Sequence, residues 1–550
     1  MPVLIIHQGS EDLHLEPSKE KTYAYRIGAG EIIGRVCEYI NDVPDLNNIS
    51  EELRDGYASW VYNFNQDFLD AGLVWRNTSL FFLSDLSAKR AELFDTYNTL
   101  SVLTQIKRKL ESVEIKTVLL FGVDTSFAQS VRSLFPEVAL LQENSRAQKV
   151  TFFRRSLADF RFFLNLVAVV LLNKVLPSQV VPRSEEKAKY FFSFFPQTFD
   201  EKNSDMRYGE QVKQEDRYLV TMMADGMHQQ LNPFEYWKNQ RRVKNGKFVV
   251  IDRGLRLSDI FSGIKIWLEM VYFVCRRNRS SDLAFGIDIS GYIHQELIWS
   301  VSRVSRLVIF ARALERVLSD FRISELIYVV FEHPLGRAIS SVVGTKFPEI
   351  ERIGFNHGEF SWRFLNYFLA DEEPSVTPPY IKHCPIPDRV LAEDRLTSEI
   401  YEFNGYTNVQ PMRNVRRLNY LKKVERGSYS SDVLIVAGLH DGQDLLFTMI
   451  PEVAQDPSRK YYFRPHPRGN NRYLRVFRNS PKNLFIDRRP IHESLSSIEC
   501  LYVTYSGLGP EAARIGIPVK VVCIPGRINW SKCIDLSSDT LPISFCDVQP

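Results

Sequence analysis

The chain has 550 residues, of which 44% are hydrophobic, 25% charged and 12% aromatic. This composition excludes a disordered or fibrous protein, and the length predicts two or three globular domains. The formal net charge of +3 is too small to indicate that the whole chain binds nucleic acid.

The N-terminal sequence MPVLIIHQGSEDLH begins with a short apolar run that no basic residue precedes. Such a run predicts a first β-strand and not a signal peptide. The seven cysteines are scattered without C-x-x-C spacing, so they indicate neither a zinc site nor a disulfide framework. We therefore expect a cytoplasmic protein.

The most apolar segment is FFLNLVAVVLLNKVL, from Phe162 to Leu176, and it predicts a helix. Asn165, Asn173 and Lys174 interrupt the segment, which is shorter than the ~20 residues that a membrane-spanning helix needs. Two interpretations stay open: a helix buried in the protein, or a helix on the membrane surface. In the second, Arg161 and Lys174 would meet lipid headgroups, so a peripheral contact with the inner membrane is one expectation.

Short β-branched runs that end in Gly, Asp or His alternate with helix-length segments along the rest of the chain. This alternation predicts an α/β fold built on parallel, doubly wound sheets. Strands are predicted within residues 116–124, 137–142, 247–254, 325–333, 350–358, 432–442, 460–468, 483–489, 499–507 and 518–526.

The last five predicted strands are close together and predict a compact Rossmann-like domain at residues 431–550. A charged stretch that is compatible with a helix precedes it, and residues 411–430 are predicted to be the linker. Residues 1–410 then form an N-terminal α/β domain, in which residues 1–110 are a candidate separate subdomain.

Ligands of open α/β sheets bind outside the carboxyl ends of the strands, so the residues that follow three of the C-terminal strands are candidate site residues. The first stretch is GLHDGQD, the second RPHPR and the third TYSGLGPEA. Their candidate ligand-binding residues are Gly438, His440, Asp441, Arg464, His466, Arg468, Thr504, Ser506, Gly507 and Glu511.

These three stretches predict a pocket for an anion. Pro465 and Pro467 fix φ and would direct the cationic side chains of RPHPR toward one point. A helix is predicted to begin at Pro510 or Glu511, and a helix N-terminus attracts phosphate. Taken singly, each feature has another interpretation: a chance H-P pair, a solvated basic face, or a serine that caps a helix.

The same residues resemble motifs of bacterial GT-B glycosyltransferases that use CMP-activated acidic sugars. RPHPR looks like their H-P motif, and TYSGLGPEA looks like the serine/threonine motif that follows it. The resemblance is closest to surface-carbohydrate biosynthesis proteins that include retaining Kdo transferases. It extends through YFFSFFPQTF, NPFEYWKNQ, VVFEHPLGRAI, GFNHGEF and PIPDRVLAED, over roughly residues 185–525.

The resemblance implies two Rossmann-like domains that face a cleft, with His466 and Ser506 on the CMP phosphate. It implies transfer of Kdo or another nonulosonic acid from the CMP donor to a cell-surface glycan or a lipid-linked acceptor. No cofactor is expected beyond the donor, and no metal, because cationic side chains and a helix N-terminus can stabilise one phosphate and no D-x-D triplet is present.

Sugar transfer needs a base for the incoming hydroxyl or a carboxylate nucleophile. Glu332 is the first candidate because it follows an apolar strand and precedes Arg337, which could bind a substrate carboxylate. Asp225 is the second, and His357 is a candidate at a turn. Asp288 is a candidate on the acceptor side.

Alternatives stay open for these roles and for the function. Glu332 and Arg337 could be a buried pair that only tethers a helix, and His357 could be a core histidine. The enzyme could use another nucleotide-activated sugar. A different class is a non-catalytic polyanion-binding protein that uses basic runs such as RNVRRLNYLKK, although nucleic acid is not the expected partner.

Overall fold

The structure is a computed structural model, and three parallel sheets organise it. It describes residues 2–143, 152–176, 187–201, 203–208, 211–223, 232–243, 247–277, 282–330, 334–356, 358, 360–412, 416–425, 431–467, 469, 471–478, 480–536 and 541–546.

The N-terminal sheet has five strands in the order β5-β3-β1-β8-β9. Its central strand β1 is the apolar run VLIIHQ, buried over most of its length, as expected for a parallel strand covered on both faces. The strands of this region are β1 (Val3–Gln8), β2 (Leu13–His14), β3 (Thr22–Ile27), β4 (Ile32–Ile33), β5 (Glu38–Tyr39), β6 (Val74–Trp75), β7 (Thr78–Ser79), β8 (Thr117–Phe121) and β9 (Ala139–Glu143). The helices are α1 (Val43–Tyr62), α2 (Phe64–Asp70), α3 (Thr96–Lys109) and α4 (Thr125–Leu134).

The middle sheet has seven strands in the order β12-β11-β10-β15-β16-β19-β20. The strands of this region are β10 (Ala188–Phe194), β11 (Arg217–Thr221), β12 (Phe248–Val250), β13 (Leu283–Ala284), β14 (Ile287–Asp288), β15 (Ile323–Val329), β16 (Glu351–Phe355), β17 (Pro374–Ser375), β18 (Cys384–Pro385), β19 (Arg389–Ala392) and β20 (Val409–Pro411). The helices are α5 (Phe152–Val175), α6 (Pro233–Arg242), α7 (Leu257–Arg276), α8 (Ser290–Leu318), α9 (Leu335–Lys346) and α10 (Arg395–Phe403).

The C-terminal sheet has six strands in the order β23-β22-β21-β24-β25-β26. The strands are β21 (Val433–Val436), β22 (Tyr461–Arg464), β23 (Leu484–Ile486), β24 (Cys500–Val503), β25 (Val519–Val522) and β26 (Ile543–Cys546). The helices are α11 (Gly442–Gln455), α12 (Tyr473–Phe477), α13 (Ile491–Ser496), α14 (Leu508–Arg514) and α15 (Lys532–Leu536).

All pairings within these three sheets are parallel. In each sheet the first strand of the chain is central, the next two lie on one side of it and the later strands on the other, which is the strand order of a Rossmann fold. The predicted α/β class with Rossmann-like units is confirmed in the middle and C-terminal sheets. The N-terminal sheet is a third such unit, which the sequence did not indicate.

The predicted linker region lies between the middle and C-terminal sheets. Its described part is the end of β20 and a 3-10 helix at Arg416–Lys423, so the stretch is less regular than the predicted helix. The division into domains at residues 410 and 431 stays a prediction.

Helix α8 connects the N-terminal and middle units. It has 29 residues and is buried on most sides, so it runs through the shared core instead of along the surface. Its Ser300 hydroxyl accepts from the Asp85 backbone N–H at 3.0 Å, and Arg303 pairs with the Asp85 carboxylate at 3.2 Å. Thr96, the first residue of α3, donates to Glu296 of α8. These contacts fix the segment that leads into α3.

Candidate active-site cleft at the switch point of the C-terminal sheet

The strand order of the C-terminal sheet reverses between β21 and β24, which are paired with Val436 opposite Val503. The chain leaves β21 toward α11 and leaves β24 toward α14, on opposite sides of this point. Ligands of Rossmann-type sheets bind in the crevice that these two exits leave open. The geometry therefore places a candidate site at the loops 437–441 and 504–507.

Two hydrogen bonds join these loops. The backbone N–H of His440 donates to the Tyr505 hydroxyl at 2.9 Å, and the Thr504 hydroxyl donates to Oδ2 of Asp441. Gly438 makes the close approach possible, because a Cβ atom at this position would lie 2.5 Å from Cζ of Tyr505. The stretches GLHDGQD and TYSGLGPEA, far apart in the sequence, are therefore in direct contact at the switch point.

Asp441 is the titratable group at the centre of this structure. Burial raises its pKa to about 6, and the nearby Asp444 carboxylate adds to the rise, although the hydrogen bond from Thr504 opposes it. No hydrogen-bond partner of Asp441 Oδ1 lies among the described residues. A carboxyl group with this pKa can take up or release a proton near neutral pH.

The switch point opens into a cleft that is continuous with solvent. Its opposite wall belongs to the N-terminal unit and consists of residues 91–98, which lead into α3 and form its first turn. The lining residues are Ala91, Glu92, Asp95, Asn98, His440, Asp441, Asp444, Thr504, Tyr505, Val522, Ile524, Arg527, Ile528, Asn529 and Trp530.

Contacts between the two units hold the walls of the cleft together. Asn98 donates to the Gly526 carbonyl at 3.0 Å and accepts from the Ile528 N–H at 2.9 Å. Arg527 pairs with Asp95 at 2.8 Å. Burial by itself would lower the pKa of Arg527, but the carboxylates of Asp95 and Asp444 raise it, so the guanidinium stays charged.

The cleft is rich in hydrogen-bond acceptors. Four carboxylates line it, those of Glu92, Asp95, Asp441 and Asp444. Arg527 contributes a guanidinium group to the same lining. Carboxylates accept hydrogen bonds from the hydroxyl groups of ribose and sugars, as the acidic residue of a Rossmann site does. The composition of the cleft therefore suits a polyhydroxylated group better than a bare anion.

Of the predicted ligand-binding residues, Gly438, His440, Asp441 and Thr504 come together at the switch point. Helix α14 begins at Leu508 and not at the predicted Pro510 or Glu511. The reason is local: the Ser506 carbonyl accepts from the Gly509 N–H at 3.0 Å, and a proline is tolerated in a first turn where no N–H is needed. Gly507 caps this helix. The Ser506 hydroxyl accepts from the Leu508 N–H at 3.4 Å.

The stretch RPHPR lies beside the first loop. The His466 carbonyl accepts from the Gly469 N–H at 2.9 Å, and a Cβ atom at Gly469 would lie 3.4 Å from the Leu439 carbonyl oxygen. His466 does not line the cleft as the described residues define it. Arg468 lies outside the described residues.

Arg464 and Glu511 have structural partners. Arg464 pairs at 2.7 Å with Asp487, whose side chain is fully buried, and it also donates to the Arg489 carbonyl at 2.9 Å. Glu511 is 5% exposed and accepts a hydrogen bond from the Tyr420 hydroxyl of the 3-10 helix. Their roles as donor ligands stay predictions.

The predicted catalytic residues Glu332, Asp225 and His357 lie outside the described residues. Arg337, in the first turn of α9, donates to Ser87 at 2.8 Å, in the segment that continues into the cleft wall. Asp288 accepts from Gln129 at 2.8 Å and from the Ser290 N–H at 2.9 Å, so it joins α4 to the start of α8 and does not line the cleft described above.

The sequence motifs indicate neither the N-terminal wall of the cleft nor the residues after β25. No motif distinguishes residues 91–98, and their role depends on contacts with residues more than four hundred positions away. Arg527 could have been found, because PVKVVCIPGR is a predicted strand followed by a glycine turn and an arginine. Within the described residues, no group of three or more His, Cys, Asp or Glu side chains could hold a metal ion.

Comparison with known proteins gives weak likenesses. No family model matches the chain, and no curated protein matches it. Among solved structures, the UDP-GlcNAc 2-epimerase from Neisseria meningitidis bound to UDP-GlcNAc has a TM-score of 0.33 and 11% identity, over 61% of this chain and 82% of that one. The wall teichoic acid polymerase TagF has a TM-score of 0.27 and 12% identity, over 68% and 79%. The epimerase from Methanocaldococcus jannaschii, in complex with UDP-GlcNAc and UDP, has 0.31 and 14%, over 44% and 71%. The fold is defined by the three parallel sheets themselves.

Proposed function

We propose that the protein is a GT-B-type glycosyltransferase that uses a nucleotide-activated sugar, with a CMP-activated Kdo or other nonulosonic acid as the donor. The acceptor in this proposal is a cell-surface glycan or a lipid-linked precursor at the cytoplasmic face of the membrane. The observation that carries the proposal is the meeting of the loops after β21 and β24 at the switch point, where Thr504 binds Asp441.

The chemistry of the cleft supports a sugar-nucleotide ligand. Its carboxylates can accept hydrogen bonds from ribose or sugar hydroxyls, and Arg527 supplies a cation. The motif RPHPR adjoins this cleft, since Gly469 lies next to Leu439. The resemblance of that motif to the H-P motif favours CMP, with His466 and Ser506 on its phosphate. The similar structures are named with a different nucleotide sugar, UDP-GlcNAc. The identity of the nucleotide base is therefore what the experiments must test.

The first test is a thermal-shift panel of CMP, UDP, GDP and ADP on the full chain. A ligand that binds only the folded state raises the melting temperature, and at equal concentration the tighter ligand raises it more. We expect selective stabilisation by CMP. Stabilisation by UDP instead would keep the glycosyltransferase and change its donor, whereas equal, strongly salt-dependent effects of all polyanions would favour the polyanion-binding alternative.

The second test uses His466→Ala. Loss of a charge-assisted hydrogen bond to phosphate should weaken CMP binding by about 10- to 100-fold and leave the melting temperature of the free protein nearly unchanged. His492→Ala is the matched control, because His492 lies in α13 of the same unit and does not line the cleft. Calorimetric titration that shows equal CMP affinity for both variants would remove His466 from the site.

The third test separates the candidate carboxylates. Glu332→Gln, Asp225→Asn and Asp441→Asn each remove a charge and keep the size of the side chain. The variant that loses the catalytic base should lose turnover by at least ~10²-fold, and the Glu332 and Asp225 variants should keep CMP affinity because neither residue is a predicted donor ligand. If Glu332 only tethers Arg337, its variant loses stability, and activity falls only with the folded fraction. Normal turnover in all three variants would contradict the carboxylate mechanism.

A further inference from the structure

Helix α5 presents a stripe of large apolar side chains to solvent. They recur at intervals of three, four or seven residues, which places them on one face of the helix. These side chains are 51% to 83% exposed: Phe153, Leu157, Phe160, Leu164, Leu171 and Val175.

The opposite face of α5 is anchored to the protein near both of its ends. Near the start, Asp159 accepts from the Trp267 indole N–H of α7 at 2.9 Å and pairs with Arg306 of α8 at 2.8 Å. Near the end, Asn173 accepts from the Tyr236 hydroxyl of α6 at 2.7 Å. Among the described helices, α5 alone is long and apolar enough to cross a membrane, and only 33% of its apolar window is buried in the protein. Its polar anchors place it along the surface of the protein.

Helices α6 and α7 widen the stripe into a face. Helix α7 lies beside α5, joined to it by the hydrogen bond between Asp159 and Trp267, and α6 is joined to α5 by the hydrogen bond between Asn173 and Tyr236. Exposed apolar side chains continue along these two helices at Phe234, Phe261, Leu268 and Tyr272, which are 57% to 70% exposed. Monomeric soluble proteins rarely leave an apolar patch of this kind uncovered. We call the exposed side of the three helices the α5–α7 face.

Helices α5, α6 and α7 also carry exposed basic side chains. They are Arg154, Arg161, Lys174, Lys238, Arg241, Arg242, Lys265 and Arg276. Of the acidic residues on the three helices, Asp159 and Asp259 are buried in ion pairs, and Glu269 lies 3.7 Å from Lys265. Glu235 is exposed. The face therefore combines apolar insertion groups with an excess of positive charge.

We propose that the α5–α7 face binds the surface of a membrane that contains anionic lipids. Phe153, Phe160 and the other stripe residues enter the boundary between headgroups and acyl chains, while the arginines and lysines contact lipid phosphates. A second copy of the chain fits this face less well, because two such faces would bring like charges together. The inference goes beyond the proposed function, since it holds for any donor, and it explains how a lipid-linked acceptor would be reached.

The test measures binding of the full chain to phosphatidylcholine vesicles with and without about 30 mol% phosphatidylglycerol by flotation. The variant is the double substitution Phe153→Asp and Phe160→Asp. Loss of two interfacial aromatic side chains should weaken binding to the anionic vesicles by at least ~10-fold. The matched control is Val36→Asp with Leu141→Asp, which removes two apolar side chains that are 91% and 59% exposed on the N-terminal unit. It changes the net charge equally and should bind as the wild type does.

A second variant tests the charges and has no effect on the apolar stripe. Arg154→Gln with Arg161→Gln should lower binding by about fivefold for each removed charge, and raising the salt from 0.1 to 0.5 M should weaken wild-type binding. Thermal shift with the stabilising nucleotide checks that each variant is folded and keeps the separate donor site.

Three outcomes would overturn the proposal. The first is equal vesicle binding by the stripe variant and its control, and the second is no preference of the wild type for anionic vesicles. The third is a wild-type dimer in light scattering that becomes a monomer in the stripe variant while vesicle binding stays unchanged. None of these outcomes bears on nucleotide selectivity, so failure here is distinct from failure of the proposed transferase.

Discussion

Tyr505 connects the two loops of the switch point through both parts of its side chain. Its ring packs on Gly438, where there is no room for a Cβ atom, and its hydroxyl accepts from the His440 N–H. Burial, together with the charge of Asp441, raises the pKa of Tyr505, so the phenol stays protonated near neutral pH. The position of the first loop thus depends on one aromatic ring.

We predict that Gly438→Ala displaces the Tyr505 ring. A Cβ atom 2.5 Å from Cζ cannot be accommodated without a shift, and such overpacking typically costs ~1–3 kcal/mol. Nucleotide protection in the thermal-shift panel should fall with it. Gly442→Ala is the matched control, because its Cβ atom would lie 3.3 Å from that of Ala437, at the first position of α11. Equal effects of the two substitutions would contradict the role given to Tyr505.

Arg464 was predicted from its motif to bind the donor, but in the structure it has structural partners. The prolines of RPHPR do follow a strand exit, but the guanidinium is held by Asp487 and the Arg489 carbonyl. Asp487 follows β23, the neighbouring strand. Burial would raise its pKa, but the hydrogen bond from Ser494 and the guanidinium groups of Arg489 and Arg464 hold it below the usual range. The sequence could not show this pairing because it depends on which strands are neighbours.

At the scale of an element, α8 is the helix that positions the N-terminal wall of the cleft. Glu296 of this helix is buried, and burial raises its pKa to about 8, with the carboxylates of Asp85 and Glu92 adding to the rise. The Thr96 hydroxyl that donates to it belongs to the first turn of α3, next to Asp95. A neutral Glu296 therefore supports the contact between α8 and the cleft wall.

This arrangement predicts a pH-dependent stability. Because the pKa of Glu296 is higher in the folded state than the ordinary value of about 4.3, its contribution is full below that value and is lost as the pH rises toward about 8. Glu296→Gln keeps the acceptor for Thr96 and cannot ionise. Its free energy of unfolding relative to the wild type should rise by about 3 kcal/mol between pH 5.5 and pH 8, as measured by urea denaturation.

The control for this prediction is Glu315→Gln on the same helix, which removes a carboxylate that contacts Arg76. The free energy of unfolding of this variant shows what the loss of any carboxylate from α8 costs. If Glu296→Gln gives the same difference from the wild type at both pH values, Glu296 is not the group that titrates.

At the scale of the whole molecule, ion pairs connect the C-terminal unit to the middle unit. Asp394, just after β19, pairs with Lys532 of α15 and Arg514 of α14, both at 2.6 Å. Arg363 pairs with Asp535 at 3.3 Å. Lys532 is only 2% exposed, so Asp394 is the partner of a buried ammonium group.

We predict that this interface weakens in acid. Burial would raise the pKa of Asp394, but Lys532 outweighs it and the pKa falls to about 2. The contribution is present above the ordinary value of about 3.9 and is lost as the pH falls toward 2. Asp394→Asn should therefore lower stability by about 2–3 kcal/mol at pH 7, and the difference should shrink by about half at pH 3, in calorimetric unfolding.

Asp388→Asn is the matched control for the interface, because Asp388 pairs with Arg352 inside the middle unit. It should destabilise that unit without separating the unfolding of the C-terminal one. A single, unchanged transition in Asp394→Asn would show that the interface does not couple the two units.

The sequence by itself determined the strands and the order of their exits. Strands β1, β8, β12, β16 and β21–β25 fall within predicted segments, and β9 and β15 overlap them, because an apolar run of that length bounded by Gly, Asp or His is a local property of the chain. Once the sheet is parallel, the loops after β21 and β24 must lie at the same edge. Gly438, His440, Asp441 and Thr504 were found for this reason.

Only the tertiary structure decided what those loops face. The opposite wall comes from residues 91–98, which carry no motif, and it meets the C-terminal unit through contacts such as those of Asn98 with Gly526 and Ile528. The tertiary structure also decided the partner of Arg464 and which side of α5 is exposed. The periodicity of apolar residues indicates which side of a helix or strand is apolar. The residues that cover that side come from distant parts of the sequence, and only tertiary packing brings them into contact with it.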